Sequence, residues 1–586
     1  MTRSVKLVLT ILACAAAAVA GAATAPWIAK SNQDANILLE VQAKYVPEGS
    51  SGLGVESYDA RVLDLKPGLV ARQSADLSSA EHRYEQLLRT ETDPQVRDDL
   101  EILLKATRDQ RASLELNDRL MLPYFDLPQA IYGGFQQLLD KRTAAARYPA
   151  ALLRLKRYAG AEAGYEPITK LARDRISERL ADPTLTAPWS VELQQALKNQ
   201  DQYLAGIRDL FKESGLKGWE KDFATLSSQV GAYGKWVRAT VLPRARASNL
   251  LPPEIYADNL KQYGVAMDPK ELMDRALFSF AQTRDEMQTL SATVAHAHGW
   301  KSGDYRDVFR ELKKQRIPDD KVLEVYRARL AGLEKIIREQ KLLTLPQRAA
   351  AIRLATPAES AATPAPHMSV PRLLGNTGEM GEFVIPTSNP NADSKAEMDD
   401  FNYDAITWDL TAHEARPGHE LQFAAMIEGG VSTARAVFAF NSANAEGWGL
   451  YSEQMVKPFL PPEAQLGVLQ ARLMRAARAF LDPMINLGML KPEQAKRILM
   501  QDVVLSEPLA KEEIDRYTFD APGQATSYFY GFSKLQSLRA RVEIALGKDF
   551  DAQSYHDFIL AQGLLPPELL EKAVLENYVK PRLGSP

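Results

Sequence analysis

Apolar residues recur at helical spacing along most of the chain. A repeat of about 3.6 residues is clearest in eight stretches. These stretches predict helices over Ala80–Arg108, Leu116–Asp140, Ala150–Leu180, Val191–Lys212, Lys270–Ala295, Lys321–Lys341, Glu463–Leu487 and Glu493–Leu505. Proline precedes several of them, as in Asp268-Pro269 before the Lys270 helix, and proline is favoured at helix starts. We therefore expect a mainly α-helical protein.

The region 342–392 interrupts the helical pattern. It is rich in Pro, Ala and Thr, and its residues Gly381–Ser388 have the composition of a short strand that ends at Pro386. We expect a short β element near 381–388 within an otherwise helical fold.

Apolar residues are spread evenly, which favours one large body over several small domains. Hydrophobic residues make up 45% of the 586 positions, and long Gly/Ser breaks are few. We predict a single helical domain over 23–586, with two lobes around a cleft. Its parts would be a helical lobe at 23–341, a Pro-rich connector and edge strand at 342–400, and a second lobe at 401–586.

The charge balance excludes one class of partner. The chain has 71 basic and 75 acidic residues and a net charge of −4. Nucleic-acid binding depends on a basic field, which this composition does not supply. We expect no nucleic-acid partner.

The N-terminus has the pattern of a targeting segment. Arg3 and Lys6 precede the apolar run Leu7–Ala20, which fits a secretory signal peptide over residues 1–22. We therefore expect export to the periplasm or another part of the cell envelope. The single cysteine, Cys14, leaves lipid attachment open as a less favoured alternative, and an uncleaved anchor is another. No other stretch is long and apolar enough to span a membrane.

The candidate chemistry is concentrated in residues 411–422, which read Thr-Ala-His-Glu-Ala-Arg-Pro-Gly-His-Glu-Leu-Gln. Hydrolytic zinc sites combine two imidazoles, a third ligand and an unligated carboxylate that activates water. His413, His419 and Glu446 would be the ligands, and Glu414 would be the general base. These nitrogen and oxygen ligands favour Zn²⁺, at one ion per chain.

The spacing of the two histidines is unusual. At about 100° per residue, His413 and His419 would lie roughly 120° apart on a regular helix, which does not aim both at one ion. Pro417 and Gly418 between them favour a bulge or kink that takes up two extra residues. A regular helix would instead pair His413 with Glu420, an interpretation that we rank second. His296 and His298 form a rival pair, but at i and i+2 they point apart on a helix.

Three motifs in order carry a family resemblance. His-Glu-x-x-Pro-Gly-His-x-Leu-Gln is followed by Glu-Gly-Trp-x-Leu-Tyr at 446–451 and by Pro-Gly-Gln-Ala-x-x-Tyr at 522–528. The chain resembles the bacterial family called domain of unknown function 885, which is similar to gluzincin metallopeptidases in its His, His, Glu ligand pattern. The family usually has a second His directly after the ligand His, where this chain has Glu420.

The resemblance and the surrounding residues suggest further roles. Tyr528 would donate a hydrogen bond to the oxyanion of the reaction, with Tyr530 as the nearby alternative, and Gln524 would position substrate. Arg416 would bind a substrate carboxylate or form a surface salt bridge. Hydrogen-bond partners for the ligand imidazoles would come from four candidates that the sequence does not rank. They are Asn441, Asn444, Glu453 and Glu420.

These residues lead to an expected function. We expect a zinc-dependent peptidase of the cell envelope that cleaves short peptides, with the strand near 381–388 lying along the cleft as an edge for extended substrate. A plain connector is an equally acceptable interpretation of that strand. The alternative functions are a zinc amidohydrolase acting on a non-peptide amide, and a non-catalytic binding or scaffold protein that retains the metallopeptidase body.

Overall fold

The protein is described by a computed structural model that covers residues 25–356, 359–360, 363, 365–376, 378–386 and 398–584. The predicted signal peptide, residues 1–22, lies outside these residues, and so does Cys14. Among the described residues, no helix is both long and apolar enough to cross a bilayer.

Helices dominate the fold, as the sequence predicts. The N-terminal half contains α1 (Pro26–Tyr45), α2 (Pro47–Gly52), α3 (Leu69–Thr90), α4 (Pro94–Leu120), α5 (Leu127–Leu138), α6 (Pro149–Ala159), α7 (Ile168–Leu180), α8 (Ser190–Glu213), α9 (Glu220–Trp236), α10 (Pro253–Gln262), α11 (Pro269–His298), α12 (Tyr305–Lys313) and α13 (Val322–Glu339). The C-terminal half contains α14 (Asp404–Leu410), α15 (His419–Gly429), α16 (Ser442–Val456), α17 (Pro462–Asn486), α18 (Pro492–Gln501), α19 (Glu507–Asp515), α20 (Thr526–Leu546), α21 (Ala552–Ala561), α22 (Pro567–Val574) and α23 (Lys580–Arg582).

Three of the predicted helices are wrong as single elements. The stretch from 80 to 108 divides before Pro94, where the Asp93 side chain accepts a 2.9 Å hydrogen bond from the Gln95 amide and starts a new helix. The stretch from 116 to 140 divides after Leu120, and α5 begins at Leu127. The stretch from 150 to 180 divides at Gly160, whose φ of 68° ends α6. Local capping overrides the apolar repeat at each break.

The small sheet lies in the Pro-rich region. Strands β1 (Ala351–Leu354), β2 (His367–Ser369) and β3 (Glu382–Ile385) are ordered β1-β3-β2, with β1 parallel and β2 antiparallel to β3. The predicted strand near 381–388 is confirmed as β3, and the last two positions of that prediction lie outside the described residues. The expectation of an edge strand there is wrong, because β1 and β2 pair with β3 on both sides.

Helix α17 is the centre of the C-terminal half. It packs against α11, α14 and α20, and most of its residues are buried. Two apolar clusters meet around it, one including Leu466 and Leu473 and the other including Val468 and Trp448. A helix that is buried along most of its length carries polar residues into the interior, so its buried charged side chains are candidates for a site.

Candidate metal centre

The two histidines lie on either side of a sharp corner. Helix α14 widens into a π-helical turn at Thr411–Ala415, the backbone is extended at Arg416, the peptide bond before Pro417 is cis, and α15 begins at His419. A Cβ on Gly418 would lie 1.8 Å from the His413 carbonyl oxygen, so the corner closes only with glycine. The predicted break is therefore confirmed, but its form is a corner between two helices.

The corner brings the ligands together. The His413 and His419 ring centroids are 4.7 Å apart with the ring planes at 86°. The Nε2 atoms of both rings lie 3.4 Å from Oε2 of Glu446 on α16. One candidate ligand atom from each of these three side chains lies within 4.8 Å of the other two. Among the described residues, no other group of three or more His, Cys, Asp or Glu side chains meets this criterion.

The second nitrogen of His413 has a partner that fixes the ring. Nδ1 of His413 lies 2.7 Å from Oε1 of Glu453, one of the four predicted partners. The other three serve elsewhere. Asn441 accepts from the Asn444 amide, Asn444 accepts from Gln422, and Glu420 accepts from Arg416 and Arg348. The Nδ1 atom of His419 is buried with no hydrogen-bond partner among the described residues.

The electrostatics of the cluster favour a cation. Burial alone would lower the pKa of His413, but Glu446, Glu453 and Glu414 outweigh it and raise that pKa to about 10. Burial would raise the pKa of Glu446, but the two imidazoles hold it well below its usual range. Three carboxylates around one imidazole thus give this point a negative field that a divalent ion would neutralise.

Close helix packing places the third ligand. A Cβ on Gly447 would lie 2.6 Å from the Gly531 carbonyl carbon, so α16 and α20 approach closely at this glycine pair. A Cβ on Gly449 would lie 2.4 Å from Cε1 of His413, so the imidazole packs directly against the α16 backbone at this glycine. Trp448 donates a 3.0 Å hydrogen bond to the Pro417 carbonyl and ties α16 to the corner.

A cleft opens beside His413, one of the three candidate ligands. Its cavity of about 130 Å³ is lined by residues that include His413, Glu414 and Tyr528. The Tyr528 ring stacks on the His413 ring at a centroid distance of 6.5 Å. Burial, and then the Glu446 carboxylate, raise the pKa of Tyr528, so its phenol stays protonated and able to donate. Ala365 and Pro366, just before β2, also line this cavity.

Three predicted site residues are not brought to the cleft. The buried Arg416 guanidinium donates to Glu420, Glu334 and the Arg348 carbonyl at 2.7–3.0 Å, so its assignment as a substrate-binding residue is wrong. The Tyr530 hydroxyl donates to Glu568. The Gln524 side chain donates to Ser442 at 3.0 Å. The donors of Arg416, Tyr530 and Gln524 are thus used in holding the fold.

Among the described residues, the rival histidines His296 and His298 do not belong to a group of three candidate metal ligands. Nε2 of His298 lies 2.8 Å from Oε1 of Glu463, and its ring stacks on Trp300.

Sequence reasoning missed three arginines in the cleft. Arg475 and Arg478 on α17 and Arg516 after α19 all line the cavity. For the two on α17 the sequence signal is a series of arginines at three-residue spacing, Arg472, Arg475 and Arg478, a pattern that more often marks a solvated face.

Together the features define a large, mainly α-helical protein with a buried His, His, Glu cluster beside a cleft. The sequence profile of the family described as bacterial protein of unknown function (DUF885) matches residues 47–574, and the chain belongs to this family. No curated protein matches the chain.

Two solved structures share the fold. One is a proposed lipoprotein of unknown function from Shewanella oneidensis, with a TM-score of 0.74 and 20% identity over 93% of this chain and 100% of that chain. The other is a proposed lipoprotein from Colwellia psychrerythraea, with a TM-score of 0.76 and 20% identity over 94% of this chain and 99% of that chain.

Proposed function

We propose that the chain is a zinc-dependent peptidase that cleaves short peptides in the cell envelope. The observation that supports this most strongly is the grouping of His413, His419 and Glu446, with Glu414 and Tyr528 at the same cleft. Two imidazoles, a third carboxylate ligand and a separate carboxylate are the set that hydrolytic zinc sites use.

The candidate ligand atoms, two imidazole nitrogens and a carboxylate oxygen, are of the types that bind zinc in hydrolytic sites. Glu453 occupies Nδ1 of His413, which leaves Nε2 of that ring directed at Glu446 and available to a metal. A zinc ion in this place would supply Lewis acidity, which polarises a carbonyl group and makes a water molecule acidic enough to lose its proton near neutral pH.

Two protein side chains would transfer the proton and stabilise the negative charge that develops on the substrate oxygen. Glu414, adjacent to His413 and lining the cavity, would accept the proton from the attacking water and deliver it to the leaving amine. The Tyr528 phenol would donate a hydrogen bond to the oxyanion of the tetrahedral intermediate. Tyr528 lines the same cavity as Glu414 and its ring stacks on that of His413, which supports this role.

The envelope location is supported by the targeting pattern at residues 1–22 and by the two similar structures, both of proposed lipoproteins. A narrow cavity favours short or unfolded peptides, because a folded substrate would not bring its backbone to the ligands.

Zinc content and peptide turnover test the proposal together. Purified mature protein should hold about one zinc per chain by elemental analysis. His419→Ala should lose it, while His298→Ala should keep it and serve as the matched control. Glu414→Gln should keep the zinc and lose cleavage of a randomised peptide pool, followed by mass spectrometry.

Each failure has a distinct meaning. If wild-type protein offered zinc retains none, the metal site is wrong. If Glu414→Gln cleaves as fast as wild type, the assignment of the base is wrong. If wild-type zinc protein leaves peptides intact but hydrolyses a panel of N-acyl amines, the enzyme is an amidohydrolase.

A further inference from the structure

A group of arginines lies in the cleft beside the metal centre. Arg475 and Arg478 are three residues apart on α17 and therefore share one face of that helix. Arg516 lies in the turn after α19. All three line the same cavity as His413 and Tyr528. The proposed chemistry of water attack and proton transfer uses none of them.

Arg478 is held in a two-pronged ion pair. Its Nε and Nη2 atoms donate to both carboxylate oxygens of Glu513 at 2.7 and 2.6 Å. Its guanidinium lies over the Tyr528 ring, 4.5 Å from the centroid. This arginine therefore positions Tyr528 and has little capacity left for a ligand.

Arg475 and Arg516 still have donors to offer. Nε of Arg475 is buried with no hydrogen-bond partner among the described residues, and its Nη2 is 3.7 Å from Glu453. Nη1 of Arg516 is likewise buried without a partner in the described chain, and it lies 3.6 Å from Glu513. Buried donors of this kind are usually matched by an acceptor, and here the open side is the cavity.

The carboxylates near these arginines do not balance them. Glu513 is shared by Arg478 and Arg516, and Glu453 is shared by His413 and Arg475. Two carboxylates thus serve three guanidinium groups, and one of the two also holds the His413 imidazole.

Apart from Glu414, the proposed base, three other acids line the cavity. Asp400 is bound by Lys313 and Ser506. Burial, followed by the Glu513 charge, raises the pKa of Glu512 to about 7. Burial, followed by the Glu453 charge, raises the pKa of Asp409 well above its usual range. The arginine side of the cleft therefore keeps buried guanidinium donors that no carboxylate takes up.

We propose that Arg475 and Arg516 bind the free C-terminal carboxylate of the peptide, so that the enzyme removes residues from the C-terminal end. This inference rests on the proposed peptidase function and names its substrate class. A carboxylate offers two planar acceptors, which match the donors of a guanidinium. Arg475 adjoins Glu453, which in turn holds His413, so a carboxylate bound there lies near the bond that is cleaved.

The experiment compares two versions of one peptide pool. N-acetylated tetrapeptides of randomised sequence are prepared as free acids and as C-terminal carboxamides, and their consumption by the zinc-loaded full mature chain is followed by mass spectrometry. Wild type should consume the acids about tenfold faster or more, because the amides leave buried charged donors unpaired. In Arg516→Gln and in Arg475→Gln, the ratio of the two rates should fall toward one.

Arg472→Gln is the matched control. Arg472 lies on α17 one turn before Arg475, pairs with Gln454 and Glu286, and does not line the cavity. Its acid-to-amide ratio should equal that of wild type. Zinc content is measured for each variant, since Arg475 adjoins a partner of the ligand His413. Arg516, which is paired only with Glu513 in the described chain, gives the cleaner result.

Equal wild-type rates on the two pools would overturn the inference. Consumption of the amide pool that is confined to peptides with Asp or Glu would also overturn it, because the carboxylate would then belong to a side chain.

A binding measurement separates this inference from the peptidase proposal. Zinc-loaded Glu414→Gln is dialysed against each pool, and the retained peptides are counted. If wild type cleaves neither these pools nor a randomised peptide pool with free amino termini, the peptidase proposal fails. Selective retention of the acids, lost when Arg516→Gln is added, would still support the carboxylate site, and equal retention of acids and amides would refute it.

Discussion

The Nδ1 atom of His413 lies 2.7 Å from Oε1 of Glu453, and both side chains are buried. This contact joins residues 40 positions apart and links the corner at Pro417 to α16. It fixes the imidazole so that its Nε2 faces His419 and Glu446. The orientation of the first ligand thus depends on a residue that does not itself belong to the ligand group.

Glu453→Gln should weaken zinc binding while leaving all three ligands in place. The amide oxygen can still accept from Nδ1, but the negative charge that strengthens the imidazole as a ligand is lost. Zinc affinity should fall about 10- to 100-fold in a chelator competition assay. Glu463→Gln, which alters the contact with the exposed His298, is the control. Unchanged affinity in Glu453→Gln would show that the ring is oriented by other contacts.

Gly449→Ala should disrupt the candidate metal site by a steric clash, without any change of charge. The added methyl carbon would lie 2.4 Å from Cε1 and 2.7 Å from Nδ1 of His413, so the ring must move and its bond to Glu453 must break. We expect zinc content to fall to well below one per chain while the helical circular dichroism spectrum is retained. Gly429→Ala, at the end of α15 with open space around it, should keep its zinc. Full zinc occupancy in Gly449→Ala would contradict the packing of His413 on α16.

The grouping of the two candidate imidazole ligands and the candidate base could be predicted from the sequence because these residues are close along the chain. His413, Glu414 and His419 lie within seven residues, and the Pro417-Gly418 pair predicts a break in the helix between the two imidazoles. The form of that break could not be predicted, because the corner depends on Trp448 and Glu453 from another helix.

The sequence-based predictions are wrong at positions where segments that are far apart in the sequence pack together. Arg416 was predicted to bind substrate or lie at the surface, but α13 supplies Glu334 from 82 residues away and buries it. Strand β3 was predicted as an edge, but two short strands from the same Pro-rich region flank it. Neighbouring helices surround α17, so its arginines line the cleft and not the protein surface. The apolar repeat of α17 alone does not predict these neighbours.

Tyr528→Phe should impair catalysis without removing zinc. If the phenol stabilises the oxyanion, kcat should fall about 10²- to 10³-fold, with little change in KM on the peptides that wild type cleaves. Tyr530→Phe is the matched control, because the Tyr530 hydroxyl is used by Glu568. It should keep its kcat and lose about 1 kcal/mol of stability. The reverse result, a loss of kcat in Tyr530→Phe alone, would transfer the role to Tyr530.

His556 should make folding stability depend on pH. Its ring is buried behind α16, with Nδ1 2.6 Å from the Leu342 carbonyl oxygen and Nε2 2.8 Å from the Tyr451 hydroxyl. Burial lowers the pKa of His556 to about 4, whereas histidine in an unfolded chain has a pKa of about 6.5. Between these values the unfolded state binds more protons than the folded state, so stability rises with pH. The contribution is fully present above about pH 6.5 and is lost as the pH falls toward about 4.

Urea unfolding from pH 4 to pH 7.5 should show this dependence as the difference between wild type and His556→Gln. That difference should grow by about 3 kcal/mol between pH 4 and pH 6.5 and then level off, because glutamine does not titrate. EDTA in every buffer removes zinc release as a second source of pH dependence. His298→Gln, which changes a histidine that is partly exposed, is the matched control. A constant difference between wild type and His556→Gln across the range would mean that His556 is not buried in its neutral form.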